Sequence, residues 1–260
     1  MIGALLYVSC CTRPDSIAFA VNKLAKFSIN PGITHNQAVL HLICYITNIA
    51  NKQIKYFSNY KQYPIFKTLK EKNIHINEDT ILTFTDSSWN DCVDTKRSTG
   101  GNCAIVQGGP VDHSSHLLIP VAMSSSEVEY IDTATACMRA SHLRMLTYNL
   151  RHLGTSEYDG DNIKCQPARK IIDNEAAISM AKCNKDTAGN MHVARRFHYV
   201  RQGTVLNEHK FQWICSKSQL ADILTQIGNK ASFSVLWSLL RHQKELSNNN
   251  FNISIILYSI

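Results

Sequence analysis

The chain has 260 residues, enough for one large domain or for a domain of about 150 residues with a further unit. Hydrophobic residues make up 44% and charged residues 18%, which excludes wholesale disorder and any fibrous repeat, and no apolar run reaches the roughly 18 residues of a membrane-spanning helix. A net charge of +7 tilts the chain towards polyanions, most strongly from Met1 to Ile65, where Arg13, Lys23, Lys26, Lys52, Lys55 and Lys61 meet Asp15 as the sole acid.

Met1 to Ser9 is apolar but has no basic region before it, so it does not read as a signal peptide. Thr12-Arg13-Pro14-Asp15 predicts a helix start, with Ile17, Val21, Leu24 and Ala25 on one apolar face and Asn30-Pro31-Gly32 as its stop. Thr34 with Gln37 predicts a capping box for a second helix with the face Val39, Leu40, Ile43, Ile46 and Ile49. Two helices are too few to hold a core alone, so this unit should pack on another element. Residues 51–79 read as a polar connector with one short strand.

Three strands come next: Ile81–Thr85, Cys103–Gln107 after Gly100-Gly101, and Leu117–Met123 after the turn Gly108-Gly109-Pro110. Their tight links predict an antiparallel meander. A long helix starts at Ser124–Ser126, with Val128, Ile131, Met138, Met145 and Leu146 in helical period. Lys170–Ile172 is a fourth strand leading into a helix through Ala181. Val193–Leu206 is another helix, and Phe211–Cys215 a fifth strand. Ser216 with Gln219 reads as a capping box for a last helix with the face Leu220, Ile223, Leu224 and Ile227. This order predicts a mixed α/β fold, a five-stranded sheet with flanking helices. The nine cysteines include no C-x-x-C pair and read as reduced thiols without a zinc site.

Four acids stand where strand ends and helix starts converge: Asp86, Glu129, Asp173 and Asp222. Carboxylates brought within a few Å repel unless a cation neutralises them. A pair of divalent ions does so and serves in-line phosphoryl displacement, and oxygen ligands suit Mg²⁺ or Mn²⁺. Each acid also has a structural reading. Asp86 caps a turn with Ser87 and Ser88, Asp173 is the N-cap of a helix beginning at Asn174, and Asp222 is a solvated helix residue. If Ser124 caps the long helix, Glu127 is its capping-box partner and Glu129 is free; if Ser126 caps, Glu129 is structural.

Several segments resemble the C-terminal part of the Pol polyprotein of copia-type LTR retrotransposons. Ile2-Gly3-Ala4-Leu5-Leu6-Tyr7 and Thr12-Arg13-Pro14-Asp15 are similar to the end of its reverse transcriptase. Phe84-Thr85-Asp86-Ser87-Ser88-Trp89 and Lys96-Arg97-Ser98-Thr99-Gly100 resemble the opening of its RNase H domain. Val121 to Tyr130 is similar to V-A-L-S-S-T-E-A-E-Y, Asp173 to Ile178 to D-N-Q-S-A-I, and Gln219 to Thr225 matches Q-L-A-D-I-L-T. The resemblance implies three regions: a helical reverse-transcriptase remnant at 1–62, an RNase H-like domain at 76–228 and a divergent tail at 229–260.

It also implies a catalytic and metal-binding set of Asp86, Glu129, Asp173 and Asp222 holding two Mg²⁺ ions, with Mn²⁺ as a substitute. The implied reaction is hydrolysis of the RNA strand of an RNA–DNA hybrid, leaving 5′-phosphate and 3′-hydroxyl ends. The hybrid or another nucleic acid is the implied partner, gripped through phosphates and 2′-hydroxyls, together with the missing reverse-transcriptase domains. No membrane is implied; the family's setting is cytoplasmic, in virus-like particles. No polymerase palm is present, so no polymerase activity is expected.

The chain departs from the pattern in three places. Val111–Leu117 replaces I-S-W-K-S-K-K, losing the Trp and three Lys and gaining Asp112. Ala194 replaces an Asp, and Ser88 replaces a second acid beside Asp86. The lost Lys cluster, together with the missing polymerase and the divergent tail, favours an alternative, a catalytically inactive remnant that at most binds nucleic acid. An integrase- or resolvase-like nuclease is a third reading, opposed by the order of the acids. Trp89 reads as a packing residue, and His192 and His198, six apart, as surface or packing residues rather than a metal pair.

Overall fold

The computed structural model of the chain describes residues 1–11, 17–50, 54, 56, 59–74, 76–77, 80–107, 109–153, 165–182 and 194–226. The expected helix start at Thr12–Asp15, the turn residue Gly108, His192, Ile227 and the tail 229–260 lie outside the described residues.

Three strands, β1 (Leu82–Ser88), β2 (Thr99–Val106) and β3 (Gly109–Leu117), form the expected antiparallel meander. Strand β4 (Ala168–Ile172) pairs parallel to β1, and β5 (His209–Trp213) parallel to β4. The sheet order is β3-β2-β1-β4-β5, so β1 is central. It is covered on both sides: Leu82 and Phe84 are buried on one face, Thr83 and Thr85 on the other.

The third strand lies earlier than the sequence predicts. Of the expected Leu117–Met123 only Leu117 is strand, as the last residue of β3; Ile119, Val121 and Met123 are exposed, and Leu118 and Ala122 are buried. The polar run Pro110–His116 forms β3 instead. An edge strand needs only one neighbour and tolerates Pro at its start, so it lacks the apolar pattern that marks buried strands. The register shift between Ala104 and Ile105 leaves Val111 as an extra residue on β3.

Helix α1 (Ile2–Cys11) adds to the two helices expected at this end of the chain. Helix α2 (Ala18–Ala25) buries Val21 and Leu24, with Ile17 ahead of it, as the periodicity requires. Helix α3 (Ile33–Asn48) begins at Gly32, whose N–H donates to Nδ1 of His35 at 2.9 Å, and not at a Thr34–Gln37 box. Its buried face is Ala38, Val39, Leu42 and Tyr45, with Leu40 exposed, a small rotation from the expected stripe. These helices share a core around Val21, Leu24, Leu42 and Tyr45, and α2 also packs on β3. Two polar links reinforce that contact: Lys23 pairs with the Asp91 carboxylate, and His113 Nε2 lies 3.0 Å from the Ser9 carbonyl.

The connector contains helix α4 (Pro64–Glu71) rather than a strand. Pro64 occupies its first turn, and Ile65 and Leu69, one helical turn apart, are fully buried. Lys67, Thr68, Lys70 and Glu71 make the composition polar, which hides the two-residue anchor. This helix packs into the core of one sheet face with Leu82, Phe84, Ile171, Leu220 and Leu224. The opposite face carries α5 (Ser125–His152), α6 (Glu175–Lys182) and α7 (Ala194–Val205), packed through Val128, Ile131, Ile172, Ile178, Phe197 and Val200. The last described helix, α8 (Asp222–Thr225), comes after a single 3-10 turn at Ser216–Ser218.

Candidate active site

Asp86 lies near the end of β1, and Asp173 comes directly after the last residue of β4. The two strands are parallel neighbours, so both acids emerge at the same edge of the sheet. Asp222 opens α8. One carboxylate oxygen from each of Asp86, Asp173 and Asp222 lies within 4.8 Å of the others. Glu129, in α5, stands beside this set: its Oε1 accepts from Nδ2 of Asn174 at 3.1 Å, the residue next to Asp173. The structure thus brings three predicted acids into one group and ties the fourth to it through Asn174.

The caps decide between the structural and functional readings. Ser124 caps α5, accepting from the Glu127 N–H at 3.2 Å, and Glu127 accepts from the Met123 N–H at 2.8 Å. Glu129 is therefore not needed for capping. Asn174, not Asp173, caps α6, its Oδ1 accepting from the Ala177 N–H at 3.1 Å. Asp86 does accept from the Ser87 backbone, as a turn residue would, but it is buried in the strand and also accepts from the Thr225 hydroxyl. Asp222 is half-buried facing Asp86 and Asp173 rather than solvated.

Burial and mutual repulsion both penalise the charges. Burial raises Asp86 to about 6, partly offset by the Thr225 hydrogen bond and reinforced by Asp173. Burial, then repulsion from Asp86 and Asp173, raises Asp222 to about 8. Burial raises Glu129 to about 8, against the Asn174 hydrogen bond. Oε2 of Glu129 and Oδ1 of Asp173 are buried without a hydrogen-bond partner. Oxygen donors of this kind, crowded, acidic and unsatisfied, fit a hard divalent cation such as Mg²⁺ or Mn²⁺.

Three neighbouring residues escape the sequence reading. Asp132, one turn after Glu129, is fully buried and raised by burial to about 7; Thr85 Oγ1 donates to it at 2.8 Å. It fits only because Gly100 has no side chain, since a β-carbon there would lie 2.4 Å from Asp132 Oδ1. An acid in phase with the apolar stripe of α5 is the available signal. Thr225 closes the Gln219–Thr225 motif, but the motif does not show that its hydroxyl meets Asp86. Gln219 is not a capping-box partner of Ser216: its Nε2 donates to the carbonyls of Thr85 at 3.0 Å and Ile171 at 3.3 Å.

The departing segment also has a structural outcome. Asp112 on β3 forms a two-pronged pair with Arg139 of α5, Nε to Oδ2 at 2.6 Å. Trp89 is half-exposed and donates its indole N–H to the Ala122 carbonyl at 3.1 Å, so it is a rim residue rather than a core one. His198 is exposed, and the eight cysteines among the described residues are free thiols. No described helix is long and apolar enough to cross a membrane.

A mixed sheet of order 3-2-1-4-5, with helices on both faces and acids delivered to one edge by its two central parallel strands, defines an RNase H-like domain. No protein-family model matches the chain. It is 26% identical over 239 residues to the retrovirus-related Pol polyprotein from transposon TNT 1-94 of Nicotiana tabacum, which covers 92% of this chain and 16% of that protein. It is also 26% identical over 233 residues to the corresponding polyprotein from transposon RE1 of Arabidopsis thaliana, covering 90% of this chain and 14% of that one. A secreted RxLR effector protein 161 of Plasmopara viticola is 27% identical over 146 residues, 56% of this chain and 90% of the effector. The chain is thus similar, over about 90% of its length, to retrovirus-related Pol polyproteins of copia-type transposons, and it spans only 14–16% of theirs. Among solved structures, RNase H1 from Halobacterium salinarum NRC-1 aligns with TM-score 0.40 and 11% identity over 56% of this chain and 94% of that one. LC11-RNase H1 in complex with an RNA/DNA hybrid aligns with TM-score 0.38 and 13% identity over 56% and 93%. The fold assignment rests on the sheet order and the packing of helices on both of its faces.

Proposed function

We propose that the chain is a divalent-metal-dependent ribonuclease acting on the RNA strand of an RNA–DNA hybrid, working alongside the reverse-transcriptase regions of a Pol polyprotein. The observation that carries this reading is the meeting of Asp86, Asp173 and Asp222 within 4.8 Å at the sheet edge, with Glu129 held beside them by Asn174. Asp86, Glu129, Asp173 and Asp222 would hold a pair of Mg²⁺ or Mn²⁺ ions, which supply water activation and charge neutralisation for an in-line displacement at phosphorus. The protein's own contribution is geometric. Two parallel strands fix Asp86 and Asp173, Asn174 orients Glu129, and the Thr225 hydroxyl holds one oxygen of Asp86. With burial on one side of these acids, a phosphodiester approaches from the open edge, and its charge makes approach to the bare carboxylates unfavourable. The substrate would be held mainly through its backbone, so binding should weaken steeply with salt.

The test is cleavage of a labelled hybrid by the purified 260-residue chain with Mg²⁺ and with EDTA, beside Asp173→Asn. Metal-dependent cutting of the RNA strand alone, lost in the variant, supports the reading. One observation favours the alternative of an inactive remnant: β3 presents Asp112, tied to Arg139, where a phosphate grip would require cations. A folded protein that takes up Mg²⁺ but leaves the hybrid intact would decide for that alternative.

A further inference from the structure

Strands β1 and β4 are paired only at Leu82–Arg169, Thr83–Lys170 and Phe84–Ile171. Beyond that point they run towards Asp86 and Asp173 without a further paired residue. The carbonyls of Thr85 and Ile171 at the split both accept from one group, the Nε2 amide of Gln219. Gln219 has no exposed surface. A buried amide must place its donors somewhere, and here both go to the two strands that diverge. The same residue is anchored in the segment that delivers the third acid. Its N–H donates to the Ser216 carbonyl at 3.0 Å, and its own carbonyl accepts from the Asp222 N–H at 3.3 Å. Its side-chain oxygen faces the Ala221 N–H at 3.4 Å.

We infer that Gln219 is a positioning residue for the carboxylate cluster: its side chain takes over from the β-ladder where β1 and β4 part, and so sets the spacing of Asp86, Asp173 and Asp222. The inference rests on the proposed cation site. The two-pronged donor bridges the strands where their pairing ends, from the Thr85 carbonyl beside Asp86, one residue past the last pair, to the carbonyl of Ile171, two residues before Asp173. An apolar side chain of the same length would fill the volume but remove the amide that joins the two strands, and the Thr85 carbonyl, past the end of the pairing, would lose this donor. The strand ends would then relax apart or admit water, and the three acids would lose their common spacing while the cores on either face stay packed.

The experiment uses the full chain and Gln219→Met, similar in volume and without a donor. Mg²⁺ and Mn²⁺ binding is measured by titration calorimetry, and folding by thermal unfolding in EDTA. Removing an orienting partner of this kind should weaken cation binding by about 10- to 100-fold while the metal-free variant still unfolds cooperatively. Wild-type protein that binds neither cation would sink the site itself. Wild type that binds, with a folded Gln219→Met variant binding equally well, would overturn the positioning role alone. Should Gln219→Met fail to fold, nuclear magnetic resonance of the wild type decides. The Gln219 side-chain amide protons should be protected from solvent exchange and shift with the same midpoint as cation binding. An amide that exchanges freely, or that does not respond to saturating Mg²⁺, overturns the proposal.

Discussion

The hydroxyl of Thr225 donates to Oδ2 of Asp86, joining the end of α8 to an acid 139 residues earlier in the chain. Both groups are buried, so the bond is shielded from water and the carboxylate gains a second donor beside the Ser87 backbone. Thr225→Val keeps the shape and removes that donor. It should destabilise the folded chain by about 1–3 kcal/mol, as expected when a buried acceptor loses its partner, and push the Asp86 carboxyl further up. Urea unfolding with the carboxyl titration followed by NMR checks both.

The acids make metal-free stability depend on pH in an unusual direction. Asp86, Asp132, Glu129 and Asp222 are raised in the folded state to about 6, 7, 8 and 8. In the unfolded chain they titrate near about 4. Between those limits the folded state holds more protons than the unfolded one, so stability falls as pH rises from about 4 to 8. Chemical unfolding in EDTA should show this decline. Added Mg²⁺ should reverse it, with its largest effect at the alkaline end and with proton release on binding. His209 acts oppositely, since its burial as a neutral ring penalises folding as pH drops below about 6.5. Four acids outweigh one ring where the two effects overlap, so the metal-free protein should be most stable at about pH 4, below which only the His209 penalty remains.

Asp222→Asn removes one of the repelling charges. In EDTA the variant should be more stable than wild type at pH 8, by about 1–3 kcal/mol. It should gain little from Mg²⁺. A variant less stable than wild type in EDTA would show that Asp222 is held by an attraction not visible in its surroundings.

Gly100→Ala tests the close approach of α5 to the sheet. The added methyl meets Asp132 Oδ1 at 2.4 Å and Leu118 at 3.2 Å, and the strand cannot retreat without breaking its pairing to β1 and β3. A loss of about 1–3 kcal/mol is expected. Combining it with Asp132→Ala should recover part of that loss, and a double-mutant cycle by urea unfolding measures the recovery.

Asn174→Ala removes two bonds at once, the α6 cap and the contact to Glu129. The capping loss should be about 1 kcal/mol. Asn174→Ser restores a cap without reaching Glu129, so it should recover stability but not Mg²⁺ affinity. Equal affinity in both variants and wild type would show that Asn174 does not orient Glu129.

The legibility of the fold varies with burial. Strands β1, β4 and β5 are readable because burial writes apolar or β-branched residues into them. Strand β3 is not, since an edge strand carries Asp112, His113 and Ser114 and has no need of an apolar stripe. Helix α4 is hidden for a related reason: two fully buried residues hold it, and its surface is polar. At the site, each acid is visible as an acid at an element boundary. Asp132, Gln219 and Thr225 are not, because what they do depends on which backbone or carboxylate they meet across the sheet. Spacing assigns Gln219 to a local cap, and the tertiary contact takes its amide elsewhere.

The pairing of Lys23 with Asp91 bears on where this chain can be cut. Asp91 sits between β1 and β2, five residues after Asp86, and also accepts from Thr99 Oγ1 at 2.9 Å. Its cation comes from α2, on the far side of the connector. A fragment starting at residue 76 would keep every acid of the cluster yet leave Asp91 with only a hydroxyl, beside a face of β3 stripped of its helix. Such a fragment should unfold at a lower temperature than the full chain, with the amino-terminal helices serving the sheet as a brace.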